Sequence, residues 1–145
     1  MTTEAAAARL WVSFSPTSQF SFVHTGDADT PEFFEERSAR GDGPPLHRHP
    51  WPTWELVVSG IIKVVIDGVE SRVEAGGTIC TPAGATHAYV VESEEAHLVG
   101  VGTSGGRFHQ LQTKGPALLM AGDMEALGAL ASSVDVELLG PPLTI

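Results

Sequence analysis

Five residues of this sequence combine side-chain type and spacing in a way suited to chemistry. They are His47 and His49 in "PLHRHPWPTWELVVSG", Glu55 a few positions later, and His87 with Tyr89 in "PAGATHAYV". On an extended strand, residues i and i+2 point to the same face, about 6.6 Å apart along the chain. His47 and His49 can therefore converge on one point. Imidazole nitrogens at about 2 Å from such a point suit Fe, Mn, Ni, Zn or Cu. Two histidines alone hold a catalytic metal poorly. His87, opening a strand just past a Pro-Gly turn, is the candidate third ligand and shares its face with Tyr89 and Val91. Tyr89 can offer a phenol to a substrate, or it can simply pack its ring on the sheet. An H-x-H pair alone is a weak signal, and six histidines in the chain create some neighbours by chance.

Such residues need a framework of strands. Sixteen glycines and ten prolines punctuate many short segments, the pattern of an all-β sandwich or barrel. Strand candidates are "RLWVSF", "SQFSFVH", "EFFEERSAR", "WELVVSG", "IIKVVIDG", "VESRVEA", "GGTICTP", "THAYVVES", "AHLVGVGT" and "RFHQLQ", with no βαβ alternation. "WELVVSG" and "IIKVVIDG" form the expected hairpin, rich in β-branched residues. Asp67-Gly68 signals a tight turn into the next strand. Only "GDMEALGALASS" reads as helical. Asp123 can cap it, and Met124, Leu127, Leu130 and Ala131 fall on one face. No linker or repeat divides the chain. It reads as one domain over 1–145, with a core about 18–112 and a helix and tail over 116–145.

The formal net charge is −10 and the isoelectric point about 4.8. Such a surface repels phosphate backbones and anionic lipid, so neither nucleic acid nor membrane is an expected partner. "MTTEAAAARLWVSF" has no long apolar segment of the kind a secretory leader needs, and no stretch approaches the ~20 apolar residues of a membrane span. The single cysteine, Cys80, excludes an intramolecular disulfide and reads as a plain buried thiol. A cytoplasmic setting is the simplest expectation.

The two histidine blocks resemble the two motifs of the cupin superfamily. The first, G-x5-H-x-H-x3/4-E-x6-G, matches at Gly41, His47, His49 and Gly60. The second, G-x5-P-x-G-x2-H-x3-N, matches at Gly76, Pro82, Gly84 and His87. The segments around these blocks are similar to small quercetin-dioxygenase-like cupins, and the resemblance spans about residues 18 to 142. It implies a small jelly-roll β-barrel with a short C-terminal helix, often a homodimer, with a divalent transition metal and a small-molecule site inside.

Two positions depart from the family pattern. Thr53 stands where the resemblance places a glutamate ligand, and Val91 replaces the asparagine. Glu55 shares a face with Thr53 whatever the register. Three centres are then open: three histidines with water, three histidines plus Glu55, or a degenerate site without tight metal. The resemblance implies a metal-dependent dioxygenase acting on a small organic substrate of aromatic, flavonoid-like or polyketide-like kind. In it His47, His49 and His87 hold the metal, with Glu55 as fourth ligand or base and Tyr89 beside the substrate. The alternatives are a non-oxidative cupin isomerase or cyclase and a non-catalytic small-molecule-binding cupin. Trp51 and Trp54 can shape a ligand slot or pack at an edge or interface. Arg48, between the ligand histidines, should point outward into a salt bridge.

Overall fold

A computed structural model describes residues 10–145. The expectations placed on residues 1–9, including the start of "RLWVSF", lie outside them. Two antiparallel sheets make up the barrel. The first runs β1 (Trp11–Ser13), β2 (Gln19–Thr25), β3 (Glu32–Ala39), β10 (Glu95–Gly102), β5 (Thr53–Ser59), β8 (Thr78–Thr81). The second runs β11 (Glu137–Pro142), β4 (Pro45–Arg48), β9 (His87–Val91), β6 (Ile61–Ile66), β7 (Val69–Glu74). This is the expected all-β barrel. Strict alternation drives it. In β3, Glu32, Phe34, Glu36 and Ser38 point in, and in β10, Ala96, Leu98, Gly100 and Gly102 do. The sheets meet through Val57, Ile62, Val64, Ile79, Val91, Ala96 and Leu98. Each large aliphatic side chain taken from water there contributes about 1.5–3 kcal/mol.

The expected hairpin between "WELVVSG" and "IIKVVIDG" does not form. β5 pairs with β10 and β8, whereas β6 pairs with β7 and β9. The chain changes sheets at Gly60, whose φ is +94°. A Cβ there would lie 2.4 Å from the Glu95 carbonyl oxygen, so the corner packs against β10 too tightly for any side chain. The real hairpin is β6–β7, turned at Asp67-Gly68 as its dipeptide predicts.

"RFHQLQ" is not a strand. It opens α1 (Arg107–Met120), so helical structure begins well ahead of residue 116. Gly106 offers no side-chain cap. The first turn is instead capped from afar by Glu32, a fully buried carboxylate on β3. It accepts the His109 N–H at 2.7 Å and the Ser104 hydroxyl, while the Ser104 oxygen accepts the Phe108 N–H at 3.0 Å. This cap is tertiary, and Gly115-Pro116 reads locally as a breaker, so local pattern misses the helix. The expected helix is α2 (Met124–Ser133), capped by the Asp123 carboxylate on the Ala126 N–H at 3.0 Å. Leu127 and Ala131 face the body, but Met124 is exposed. Both helices close one end of the barrel, where Phe108 and Leu111 pack on Trp51, Ala131, Val134 and Val136.

Candidate metal centre

β4 and β9 bring the histidines together. His47 and His87 face each other directly across the β4–β9 ladder, and His49 follows just beyond the end of β4. Ring centroids lie 4.1 Å apart for His47–His87, 4.7 Å for His49–His87 and 5.6 Å for His47–His49. Among the described residues this is the group of metal-ligating side chains whose ligand atoms all fall within 4.8 Å of one another. Glu55 is not a member of it.

The hydrogen bonds of the three rings determine which nitrogen each presents. His47 Nδ1 meets the Pro45 carbonyl at 2.7 Å, His49 Nδ1 the Trp51 carbonyl at 2.8 Å, and His87 Nδ1 the Ala85 carbonyl at 2.9 Å. A carbonyl only accepts, so each Nδ1 carries the hydrogen and each Nε2 keeps its lone pair. This is how metal-bound imidazoles are oriented in proteins. Burial, with the neighbouring rings, lowers the pKa of His47 to about 4 and of His49 to about 3, and burial lowers that of His87. All three are therefore neutral ligands at neutral pH. The residues present fit a divalent transition metal with three nitrogen donors and open positions.

A stack holds His49 from behind. The Trp51 ring lies 4.3 Å from it at an interplanar angle of 9°, and the Arg107 guanidinium lies 4.7 Å from the Trp51 ring on α1. Arg107 is held by the Ser104 carbonyl and the Asp135 carboxylate, each at 2.6 Å. Trp51 is thus a packed support, 3 % exposed, and Trp54 faces outward. Arg48 also points outward, onto Glu137 at 2.7 Å, as alternation requires.

Thr53 and Glu55 do share the inward face of β5, and Thr53 is buried. The Glu55 carboxyl is pushed up to about 8, first by burial and then by Glu36. Glu36, 3 % exposed on β3, is a residue that sequence reasoning missed. Tyr89, two residues along from His87, donates its hydroxyl to the two Glu36 oxygens at 2.6 and 2.5 Å, and Ser38 donates to Glu36 at 2.7 Å. Burial raises Glu36 above the usual carboxylate range, and burial and Glu36 together raise Tyr89 well above the usual phenol value. The signal for Glu36 was in the sequence. It keeps phase with Phe34 in "EFFEERSAR", so a core strand had to bury it. Cys80, expected buried, is exposed, because Ile79 and Thr81 take the inward positions of β8.

A jelly-roll barrel with three histidines converging inside defines a cupin, and comparison with known proteins agrees. The Cupin domain family model matches residues 34–102, so the chain carries a cupin domain over that segment. Similar folds include KdgF from Halomonas sp., 19% identical over 64% of this chain and 84% of that one, at TM-score 0.58. An RmlC-like cupin from Shewanella frigidimarina is 16% identical over 66% and 84%, at TM-score 0.57. A variant of salicylate 1,2-dioxygenase from Pseudoaminobacter salicylatoxidans is 16% identical over 77% of this chain and 31% of that one, also at TM-score 0.57. No curated protein matches the sequence. No helix among the described residues is long and apolar enough to cross a membrane.

Proposed function

We propose that this chain is a metal-dependent enzyme in which His47, His49 and His87 hold a divalent transition metal for dioxygenase-type chemistry on a small organic substrate. The observation that carries the reading is the set of three Nδ1–H···O=C bonds, which leaves three bare Nε2 atoms on one cluster. When bound, such a metal polarises a substrate oxygen and keeps positions open for a second ligand. Glu55, with a pKa of about 8, is poised to exchange a proton with a substrate hydroxyl near neutral pH. Tyr89, held by Glu36, limits where that substrate can sit. The fold of a salicylate 1,2-dioxygenase supports oxygenase chemistry on this scaffold without naming the substrate.

A second reading, a non-catalytic ligand-binding cupin, is favoured by one observation. The position expected to carry a carboxylate ligand holds Thr53, and Glu55 stands outside the ligand group. Metal analysis separates the two. Protein purified without added metal, then offered Fe, Mn, Ni, Zn or Cu, should bind one ion per chain, and His47→Ala should bind none. A wild-type protein that takes up no metal would overturn the enzyme reading.

We further propose a homodimer through the outer face of the first sheet. Trp54, Leu56 and Val58 are 47%, 43% and 44% exposed there, beside Phe33, Val99 and Val101. A contiguous apolar face of this kind is where a second copy gains most from burial.

A further inference from the structure

The three candidate ligands are held from different sides. His47 and His87 belong to the barrel. They face each other across the β4–β9 ladder, and their Nδ1–H groups donate to carbonyls of their own segments, Pro45 and Ala85. His49 lies past the end of β4 and leans on one residue, Trp51. The Trp51 carbonyl accepts its Nδ1–H at 2.8 Å, and the Trp51 ring stacks on its imidazole at 4.3 Å. Trp51 in turn is buried against the C-terminal helices. The cluster around it is made of Phe108 and Leu111 of α1, Ala131 of α2, Val134 at the C-cap of α2 and Val136 just beyond. Arg107, the first residue of α1, lies over the Trp51 ring and ties the start of α1 to Asp135 after α2. Glu32 fixes that start. It accepts the Ser104 hydroxyl and the His109 N–H, and the Ser104 carbonyl accepts the Arg107 Nε–H.

α2 does not seal onto the strand end that carries His49. A cleft of about 650 Å³ lies between Gly128 and Ser132 of α2 on one side and Arg48, His49, Pro50 and Gly84 on the other. The helices therefore act on His49 through Trp51. A ring packed into the helices on one side and stacked on a ligand on the other holds that ligand only while the helices are docked. Linkage makes the relation reciprocal: what docks the helices favours the metal, and a metal bound through His49 favours the docked helices. We propose that the α1–α2 pair is the positioning element for His49, that metal loading and helix docking are coupled through Trp51, and that Glu32 is a remote positioning residue. The inference rests on the metal-centre reading and adds to it which part of the chain sets the affinity.

The test measures zinc affinity, by competition with a chromophoric chelator, on the full chain as wild type, Val134→Ala, Glu32→Gln and Val57→Ala. Val134→Ala and Val57→Ala delete the same methyl groups from buried sites, one in the helical cluster and one between the sheets. Val134→Ala and Glu32→Gln should weaken zinc binding roughly tenfold and shift the visible spectrum of the cobalt-loaded protein. Val57→Ala should leave affinity and spectrum as in wild type. Trp51→Leu should weaken binding by itself, and adding Val134→Ala to it should change little more, because two changes on one route are not additive. Equal losses in Val134→Ala and Val57→Ala would reduce the effect to general destabilisation and overturn the inference. Wild-type affinity in Val134→Ala, or full additivity with Trp51→Leu, would overturn it too. If Glu32→Gln or Trp51→Leu does not fold, the comparison of the two valine variants decides. A wild type that takes up no zinc sinks the metal-centre reading and this inference together, whereas zinc held alike by wild type and Val134→Ala sinks this inference only.

Discussion

Replacing Glu55 with Gln should stabilise the metal-free protein, and only at neutral to alkaline pH. The Glu55 carboxyl titrates at about 8 in the fold against 4.5 in an ordinary setting. Between those values the native state holds a proton that the unfolded chain has released. Native stability therefore falls as pH rises through that window and levels off above it. At about 1.36 kcal/mol per pH unit, the full rise corresponds to ~5 kcal/mol. Glu55 is only half-buried, and solvent contact reduces the expected figure to ~2–3 kcal/mol. Gln keeps the shape and cannot ionise. The variant should match wild type at pH 4.5 and exceed it by ~2–3 kcal/mol at pH 9, or by ~5–10 °C in Tm for a chain of this length. His47 and His49 act oppositely, since their depressed pKa values remove stability as pH falls from 6.5 towards about 4 and about 3. That term is common to both proteins and cancels. The assay is urea denaturation of both proteins from pH 4.5 to 9. Curves that stay parallel within ~0.5 kcal/mol would refute the placement of Glu55 as a desolvated, unpaired acid.

Two further outcomes follow from the same geometry. Arg107→Ala removes the outer layer of the Arg107–Trp51–His49 stack. It should weaken zinc binding roughly tenfold, the scale on which groups supporting a ligand act. Arg107→Lys should restore part of the loss, and the visible spectrum of the cobalt-loaded protein should shift in the alanine variant. An unchanged affinity and spectrum would show that the stack does not orient His49. Trp54→Glu should turn the dimer into a monomer in sedimentation without changing the melting curve of the isolated chain. A wild-type protein that sediments as a monomer at micromolar concentration would rule out the proposed face.

Much of the barrel was legible because β structure writes itself in period two. The alternation in "EFFEERSAR" and "WELVVSG" set which residues face inward, and Asp67-Gly68 marked its own turn. Pairing partners were less legible. "WELVVSG" and "IIKVVIDG" look like a hairpin because adjacent strands usually pair. Gly60 sends them to different sheets, since its corner must clear the Glu95 carbonyl. α1 was missed because its first amides are capped by Glu32, 77 positions from His109 in the chain.

The sequence by itself supplied the inventory of the centre. The common face of His47 and His49, the face shared by Thr53 and Glu55, and the outward Arg48 follow from short-range spacing on strands, and the cupin resemblance implied that His87 joins the pair and that the Glu55 face points inward. Only the tertiary structure decided what surrounds that inventory. It placed Glu36 against Tyr89 and near Glu55, left Glu55 outside the ligand group, and laid Trp51 and Arg107 behind His49. The physical reason is range. Periodicity along one strand dictates the face a residue takes. Which residue meets it there depends on register between strands, and on helices whose own capping comes from across the barrel.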